Sequence, residues 1–288
     1  MDTILEPFQF AFFRHGLIVA TLSGALCGMV GVYVVLRGMS YIGHGLSHAI
    51  FGGAAASSVI AFNYYIGAGI WGLASALMIG RVTRRRVIGS DAAIGVITTG
   101  SFALGLALFA TFGVAKQSID AVLFGSILGV TIGDIWIIAL VTLATASVIF
   151  VCYRSLLFTT FDPEVAEVSG VNTARVDALL MLVLAISILV TMKVIGVLLI
   201  AAMLVIPPTI ARMLTNSFAN MLAISTVLGA VSGFVGMYLS YHLDISSGAS
   251  IVLVGATTFA IVFALTGPRG LRRAAGLGPR TAKSLQNA

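Results

Sequence analysis

The sequence predicts an all-α integral membrane protein, a polytopic bundle of about eight or nine transmembrane helices. Only 9% of its 288 residues are charged and 59% are hydrophobic, whereas about a quarter of the residues of a soluble domain are charged. Sixteen basic and ten acidic side chains are too few to cover a protein of this size with a water-facing surface. Soluble enzymes and disulfide scaffolds are therefore excluded. Because the apolar runs are continuous rather than alternating, a β-barrel is also disfavoured.

Apolar stretches long enough for a membrane-spanning helix recur along the chain. They cover residues 15–36, 44–62, 64–80, 92–112, 134–153, 176–192, 194–213, 218–241 and 248–266. The segment 119–131 is a candidate for a further short or re-entrant helix, which would change this count. We therefore expect one transmembrane domain over residues 1–266. Residues 267–288 are rich in Gly, Pro and Arg and are expected to form a basic, disordered tail.

The basic residues predict the orientation of the bundle. Thirteen of the sixteen lie between spans on one side or in the tail, and the exceptions are Arg14, Lys116 and Lys193. Basic residues accumulate on the cytoplasmic side of membrane proteins, so the C-terminus is expected in the cytoplasm. The net charge of +6 is then explained by topology and by attraction to anionic membrane lipid. It does not indicate a nucleic-acid partner.

Small residues recur within the first predicted span. Gly24, Gly28 and Gly31 are spaced so that neighbouring helix backbones can approach closely there. A second peculiarity is the pair Pro207-Pro208 inside an apolar run, because each proline removes a helical hydrogen bond. We interpret this pair as a kink beside a transport pathway.

The polar segment 161–170 carries complete signals for one short helix. Asp162 is a good N-cap, Pro163 suits the first helical position, and Glu164 favours the positive end of the helix dipole. Gly170 is placed to end the helix about two turns later. A simple linker turn is the alternative, although a linker does not usually need such complete signals. We interpret the segment as a docking helix for a cytoplasmic partner.

This segment and several others resemble one transporter family. The pattern EVAxxxG at 164–170 resembles the coupling loop of ABC importer permeases, which fits a groove on the ATPase subunit. Together with residues 34–53 (VVLRGMSYIGHGLSHAIFGG), it resembles the permeases of the zinc/manganese/iron-uptake ABC transporter family. The similarity extends over nearly the whole chain, including 198–212 and 244–254.

The resemblance implies a type II-like ABC importer permease that is not itself an enzyme and holds no permanently bound cofactor. It implies a homodimer in the bacterial inner membrane, two cytoplasmic ATPase subunits, and an extracytoplasmic metal-binding lipoprotein. The transported ion would be divalent zinc or manganese. The residues that would couple the permease to the ATPase are Asp162, Pro163, Glu164, Ala166, Glu167 and Gly170.

Two other functions, a proton-coupled metal carrier and an intramembrane metalloprotease, fit the sequence less well. No phosphate-binding loop exists in the sequence, since the stretch 277–284 (LGPRTAKS) lacks the glycines of that motif. Any ATP-driven work must therefore come from a partner chain. A proton-coupled secondary metal carrier is the alternative, but it would need carboxylates at mid-membrane depth, which are nearly absent. An intramembrane metalloprotease is excluded because residues 44–48 (HGLSH) lack the glutamate of the H-E-x-x-H motif.

His44 and His48 are the strongest metal-binding candidates. They are four residues apart, so on a helix they share one face and can reach one ion. Two interfacial or hydrogen-bonded histidines are the alternative interpretation. By the resemblance, the family usually has Asp at position 44 and Pro at position 52, where this chain has His44 and Gly52. Two nitrogen ligands favour zinc, while manganese remains open if oxygen ligands join.

A second, weaker candidate is the pair His242 and Asp244 near the end of the eighth span. A carboxylate beside a histidine can orient the imidazole toward a metal ion. The simpler alternative, favoured for His242, is a polar turn at the membrane surface. Asp244 matches a family position better.

Overall fold

The computed structural model describes residues 6–59, 62–84, 90–112, 124–125 and 129–274. A short 3-10 turn (Glu6–Gln9) precedes the first helix. The helices are α1 (Ala11–Leu36), α2 (Ile42–Val59), α3 (Tyr64–Arg84), α4 (Ser90–Phe112), α5 (Ile132–Val151), α6 (Tyr153–Phe161), α7 (Pro163–Val168), α8 (Thr173–Ile195), α9 (Ile200–Leu214), α10 (Phe218–Leu243) and α11 (Ser247–Ala274). The described residues contain no strand. The predicted all-α membrane bundle is confirmed.

Each predicted span coincides with one helix. Within the described ranges, six helices are long and apolar enough to cross a membrane. These six are α1, α3, α5, α8, α10 and α11. Helix α9 has 15 residues and is therefore about 22 Å long, short of the ~30 Å hydrocarbon core. In helix α2 the apolar residues are interrupted by histidine, serine and glycine, which lowers its hydropathy. The predicted count of eight or nine transmembrane helices therefore includes helices that do not meet the length and hydropathy of a complete membrane crossing.

One predicted boundary is displaced between α8 and α9. The sequence predicted a span from residue 194, but α8 continues to Ile195 and ends at Gly196. Gly196 has a φ of +86°, a conformation that glycine adopts without steric strain. At the C-terminus, α11 runs past the predicted boundary at 266 as far as Ala274. The rest of the predicted tail, 275–288, and most of the segment 119–131 lie outside the described residues.

Helix α1 forms the centre of the bundle and packs against α10 through small residues. A Cβ added at Gly24 would overlap the backbone carbonyl of Gly229, and one at Gly28 would overlap that of Ser225. The pairing of 24 with 229 and of 28 with 225 makes the two helices antiparallel. The predicted close approach of backbones at these glycines is confirmed, and it explains why no larger residue fits there.

Helix α2 is enclosed by its neighbours along its length. At its N-terminal end Gly43 faces the Leu204 side chain of α9. Further along, Gly52 lies so close to α4 that a Cβ there would overlap the Ser101 carbonyl. Side chains on α2 therefore project among helices.

Two ion pairs join helices at opposite ends of the bundle. Arg37, directly after α1, contacts Asp177 in the second turn of α8 with 2.7 Å between Nη1 and Oδ1. At the other end of α8, the Lys193 ammonium lies 2.6 Å from Asp134 Oδ2 at the start of α5. Asp134 also forms a capping box with Thr131, which anchors the beginning of α5. The short helix α7 lies at the Arg37 end.

Candidate metal-transport site and coupling helix

Helix α2 brings the two predicted histidines into direct contact. His44 and His48 are one helical turn apart, and their Nε2 atoms are separated by 3.1 Å. Their rings meet edge to face, with centroids 4.4 Å apart and planes at 82°. One ring nitrogen of the pair donates a hydrogen bond to the other, so at most one of the two Nε2 atoms carries a proton.

The surroundings of the pair are aromatic and leave one nitrogen without a partner. The His48 ring packs edge to face against Phe102, with ring centroids 4.3 Å apart, and His44 lies next to Tyr41. Both histidines are partly buried. Nδ1 of His48 is buried and makes no hydrogen bond. Since most buried polar atoms in proteins have a partner, this unpaired nitrogen needs an explanation.

The separation of the two Nε2 atoms fits one shared metal ion. Zinc binds imidazole nitrogen at about 2.0–2.1 Å, and an ion at that distance from both atoms would form an N–metal–N angle of about 95–100°. That angle lies between the octahedral and the tetrahedral values. No group of three or more His, Cys, Asp or Glu residues able to hold a metal occurs in the described part of the chain.

His242 and Asp244 occupy a different environment, at the end of α10. Both are exposed, and the His242 ring packs edge to face on Tyr238, with centroids 4.6 Å apart. Asp244 is the C-cap of α10 and has a left-handed backbone with φ +51°. The 26 residues of α10 span about 39 Å, and this end is remote from the first turns of α2. The structure does not bring His242 and Asp244 to the His44–His48 pair.

The proline pair lies inside α9, which continues through both residues from Ile200 to Leu214. Pro207 and Pro208 are buried, and each removes a hydrogen bond to a carbonyl four residues earlier. One freed carbonyl, that of Leu204, lies against Gly31 of α1. The prolines thus sit where α9 packs against the central helix. The predicted kink beside the pathway stays a prediction.

Helix α7 is built as the sequence predicts. The Asp162 side chain accepts a hydrogen bond from the Val165 amide at 3.0 Å, and Pro163 occupies the first helical position. After the last turn, the amide of Val171 donates to the Ala166 carbonyl and that of Gly170 donates to the Glu167 carbonyl. This pair of bonds is a Schellman motif. Gly170 takes the left-handed conformation it requires, with φ +84°.

The surface of α7 faces outward except at one residue. Ala166 is completely buried and attaches the helix to the bundle. Pro163, Glu164, Glu167 and Gly170 are exposed. Val168 is 92% exposed. A capped helix that presents a bare apolar side chain next to acidic residues is suited to binding another protein.

Sequence reasoning missed the role of Arg37. In the sequence this residue is only one of the cations that mark one side of the membrane. In the structure its side chain is 10% exposed and pairs with Asp177. The available signal was Asp177 itself, a carboxylate one residue inside the predicted span 176–192. Which cation it meets could not be inferred, because 140 residues separate the two in the sequence.

A bundle of apolar helices with a contacting histidine pair among them and a capped, outward-facing short helix at one end has the architecture of a membrane-embedded permease. The chain belongs to the ABC 3 transport family, whose sequence profile matches residues 9–266. This membership supports the predicted ABC permease and excludes the alternative, a proton-coupled secondary carrier.

The chain is similar over nearly its full length to two bacterial membrane proteins. It is 36% identical over 265 residues to the manganese transport system membrane protein MntC of Listeria monocytogenes, which covers 91% of this chain and 94% of the relative. It is 38% identical over 257 residues to the manganese import system permease protein ScaB of Streptococcus parasanguinis, with coverages of 88% and 91%.

A solved structure has the same fold. The chain matches a chain in the structure of PsaBC from Streptococcus pneumoniae in complex with Fab, with a TM-score of 0.81 and 35% sequence identity. The match covers 91% of this chain and 95% of that chain. The arrangement of helices described above is therefore also found in that solved structure.

Proposed function

We propose that this permease imports a divalent transition metal, manganese or zinc, and that the ion passes between His44 and His48. The observation that carries the proposal is the 3.1 Å separation of the two Nε2 atoms inside the bundle. In the transporting state both neutral rings carry their proton on Nδ1, so the hydrogen bond between the Nε2 atoms is replaced by two nitrogen–metal bonds. The flanking rings of Tyr41 and Phe102 limit access of water to the ion.

The choice of ion depends on the ligand chemistry at position 44. Manganese is the metal in the names of the two relatives, and it prefers oxygen ligands. Two imidazole nitrogens favour zinc. Manganese would therefore take its remaining ligands from water or hydroxyl and carbonyl oxygens. Uptake of both metals by the reconstituted transporter, measured under the same conditions, decides between them.

The driving force is ATP hydrolysis on separate chains, because the permease itself is non-enzymatic. The functional unit contains two copies of this permease, two ATPase subunits bound at the α7 end, and a metal-binding lipoprotein at the opposite end. This arrangement puts α7 and the C-terminus in the cytoplasm of a bacterium and the permease in its inner membrane. The excess of basic residues on that side supports the orientation.

The coupling helix α7 transmits the ATPase cycle to the bundle. Its caps make it rigid, and its exposed Glu164, Val168 and Gly170 present the surface to a groove on the partner. Closure of the ATPase dimer on ATP moves α7 and thereby changes which side of the membrane the metal site faces.

The coupling assignment is tested by placing positive charge on α7. We expect Glu164→Arg combined with Val168→Arg to abolish metal uptake and permease-stimulated ATP hydrolysis. Both side chains are exposed, so the variant inserts and folds as the wild type does. The measurements are copurification of the ATPase subunit and ATPase activity of the complex in proteoliposomes.

Asn216→Arg is the matched control. Asn216 is an exposed residue of the connection between α9 and α10, at the same end of the bundle but outside α7. It adds a charge of the same sign and is expected to leave both activities at the wild-type level. Normal ATPase stimulation in the double α7 variant would show that α7 is not the docking helix.

A further inference from the structure

Arg37 connects three helices that meet beside the coupling helix. It follows the last residue of α1, and its Nη1 donates to Asp177 of α8 at 2.7 Å. Its Nε donates to the hydroxyl of Thr160 in the last turn of α6 at 3.2 Å. Thr160 is two residues before Asp162, the N-cap of α7. A single side chain thus links α1 and α8 to α6, the helix that directly precedes α7.

The same residue lies at the start of the path to the histidine pair. Residues 37–41 connect α1 to α2, and His44 is in the first turn of α2. A cavity of about 340 Å³ borders this connection and is lined by Arg37, Asp177, Met39 of the connection and Pro163 of α7. The first residue of the coupling helix and the segment leading to the metal site therefore border one space, with room for side chains to move.

The electrostatics make this contact sensitive to displacement. The Arg37 side chain is 10% exposed, and its Nη2 is buried with no hydrogen-bond partner. A buried guanidinium depends on the few partners it has, because separating a buried charge from its counterion is strongly unfavourable. When α6 and α7 move, Arg37 must follow them or lose its bond to Thr160. Retention of that bond shifts the 37–41 connection and with it the first turn of α2.

We infer that Arg37 is a positioning residue that transmits the displacement of α7 to the His44–His48 pair, with Asp177 holding its guanidinium at the pivot. The inference rests on the proposed coupling role of α7, and it adds the residue through which that movement reaches the metal site. Arg37 is neither one of the proposed metal ligands nor part of the exposed face of α7. Loss of its contacts is expected to uncouple the two, so that ATP is hydrolysed with less metal moved.

The experiment measures metal ions transported per ATP hydrolysed by the reconstituted complex in proteoliposomes. A merely structural role would lower transport and ATP hydrolysis in proportion and leave this ratio unchanged. For Arg37→Met we expect the ratio to fall roughly three- to ten-fold while ATPase stimulation persists. Arg37→Lys keeps the charge facing Asp177 but has no planar fork for a second partner, so an intermediate ratio is expected.

A pair of threonines supplies a matched comparison that does not disturb the buried ion pair. Thr160→Val removes the hydroxyl that accepts from Arg37, and we expect a lowered ratio. Thr159→Val is the control, because Thr159 and Thr160 both donate to a carbonyl four residues earlier in α6, at 2.7 and 2.6 Å. Only Thr160 also contacts Arg37.

Equal ratios in the Thr159→Val and Thr160→Val variants, or a proportional loss of both activities in Arg37→Met, would overturn the positioning role. Neither result would affect the assignment of α7, which is tested separately by charge on its exposed face. If the α7 variant keeps full ATPase stimulation, the proposed function itself fails and the inference fails with it.

Discussion

This chain has two clusters that each contain a histidine next to a second potential metal ligand, and their structural environments differ completely. His44 and His48 lie four residues apart within a helix, whereas His242 and Asp244 are two residues apart across a helix end. A separation of four places side chains on one face of a helix, but a separation of two does not. The first pair is in contact among packed helices, and the second is exposed beside aromatic rings.

The comparison teaches that burial and register, rather than residue type, distinguish the two clusters. The aromatic contacts of His242 and the left-handed cap at Asp244 account for these residues as parts of a helix terminus. In contrast, the buried and unpartnered Nδ1 of His48 has no such explanation. Substitutions in the two clusters are therefore expected to have very different effects on transport.

The largest effect is expected for His48→Ala, which removes one of the two nitrogen ligands from the enclosed site. We expect metal uptake to fall by at least about ten-fold, as is typical when support for a metal site is lost. The basal ATPase stimulation should remain, because α7 is untouched. Uptake is measured with radioactive manganese and zinc in proteoliposomes. Unchanged uptake of both metals would remove the histidine pair from the transport route.

A smaller effect, on selectivity, is expected for His44→Asp. This change replaces a nitrogen ligand by a carboxylate oxygen, so the ratio of manganese to zinc uptake should rise, by roughly three- to ten-fold. His44→Asn is the matched control, since it has the same size as Asp without the charge. A ratio identical in wild type, His44→Asp and His44→Asn would contradict a ligand role for position 44.

The smallest effects are expected at the end of α10. His242→Phe keeps a ring against Tyr238, and Asp244→Gly places at φ +51° the residue that adopts this conformation most readily. We expect uptake within about two-fold of wild type for each, because both positions are exposed. The melting temperature of Asp244→Gly should be unchanged or slightly higher. A loss of uptake comparable to that of His48→Ala would make this cluster a second metal site.

Much of the fold followed from local sequence features. Long apolar runs predicted the helices because a chain in lipid must satisfy its backbone hydrogen bonds within itself. The caps at Asp162 and Gly170 predicted α7 because these interactions involve residues only a few positions apart. The i and i+4 spacing predicted the contact of His44 with His48 for the same reason.

Other boundaries and contacts were not predictable from the same features. The apolar run around residue 194 gave no sign that α8 would end at Gly196 and α9 begin only at Ile200. The helical extension of α11 beyond 266 was likewise not predicted. For α8 the boundary is the positive-φ backbone at Gly196, a conformational feature that the hydropathy of the run does not record.

By itself, the sequence determined that this protein is embedded in lipid and which segments form its membrane helices. It also determined how α7 is capped and which two histidines share a helix face. Each of these depends on hydropathy or on interactions within about one helical turn. Only the tertiary structure decided that Gly24 meets Gly229, that Arg37 joins Asp177 and Thr160, and that the two histidine clusters lie apart. Those contacts depend on the register and packing of helices that are distant in sequence. Local sequence patterns do not specify that register.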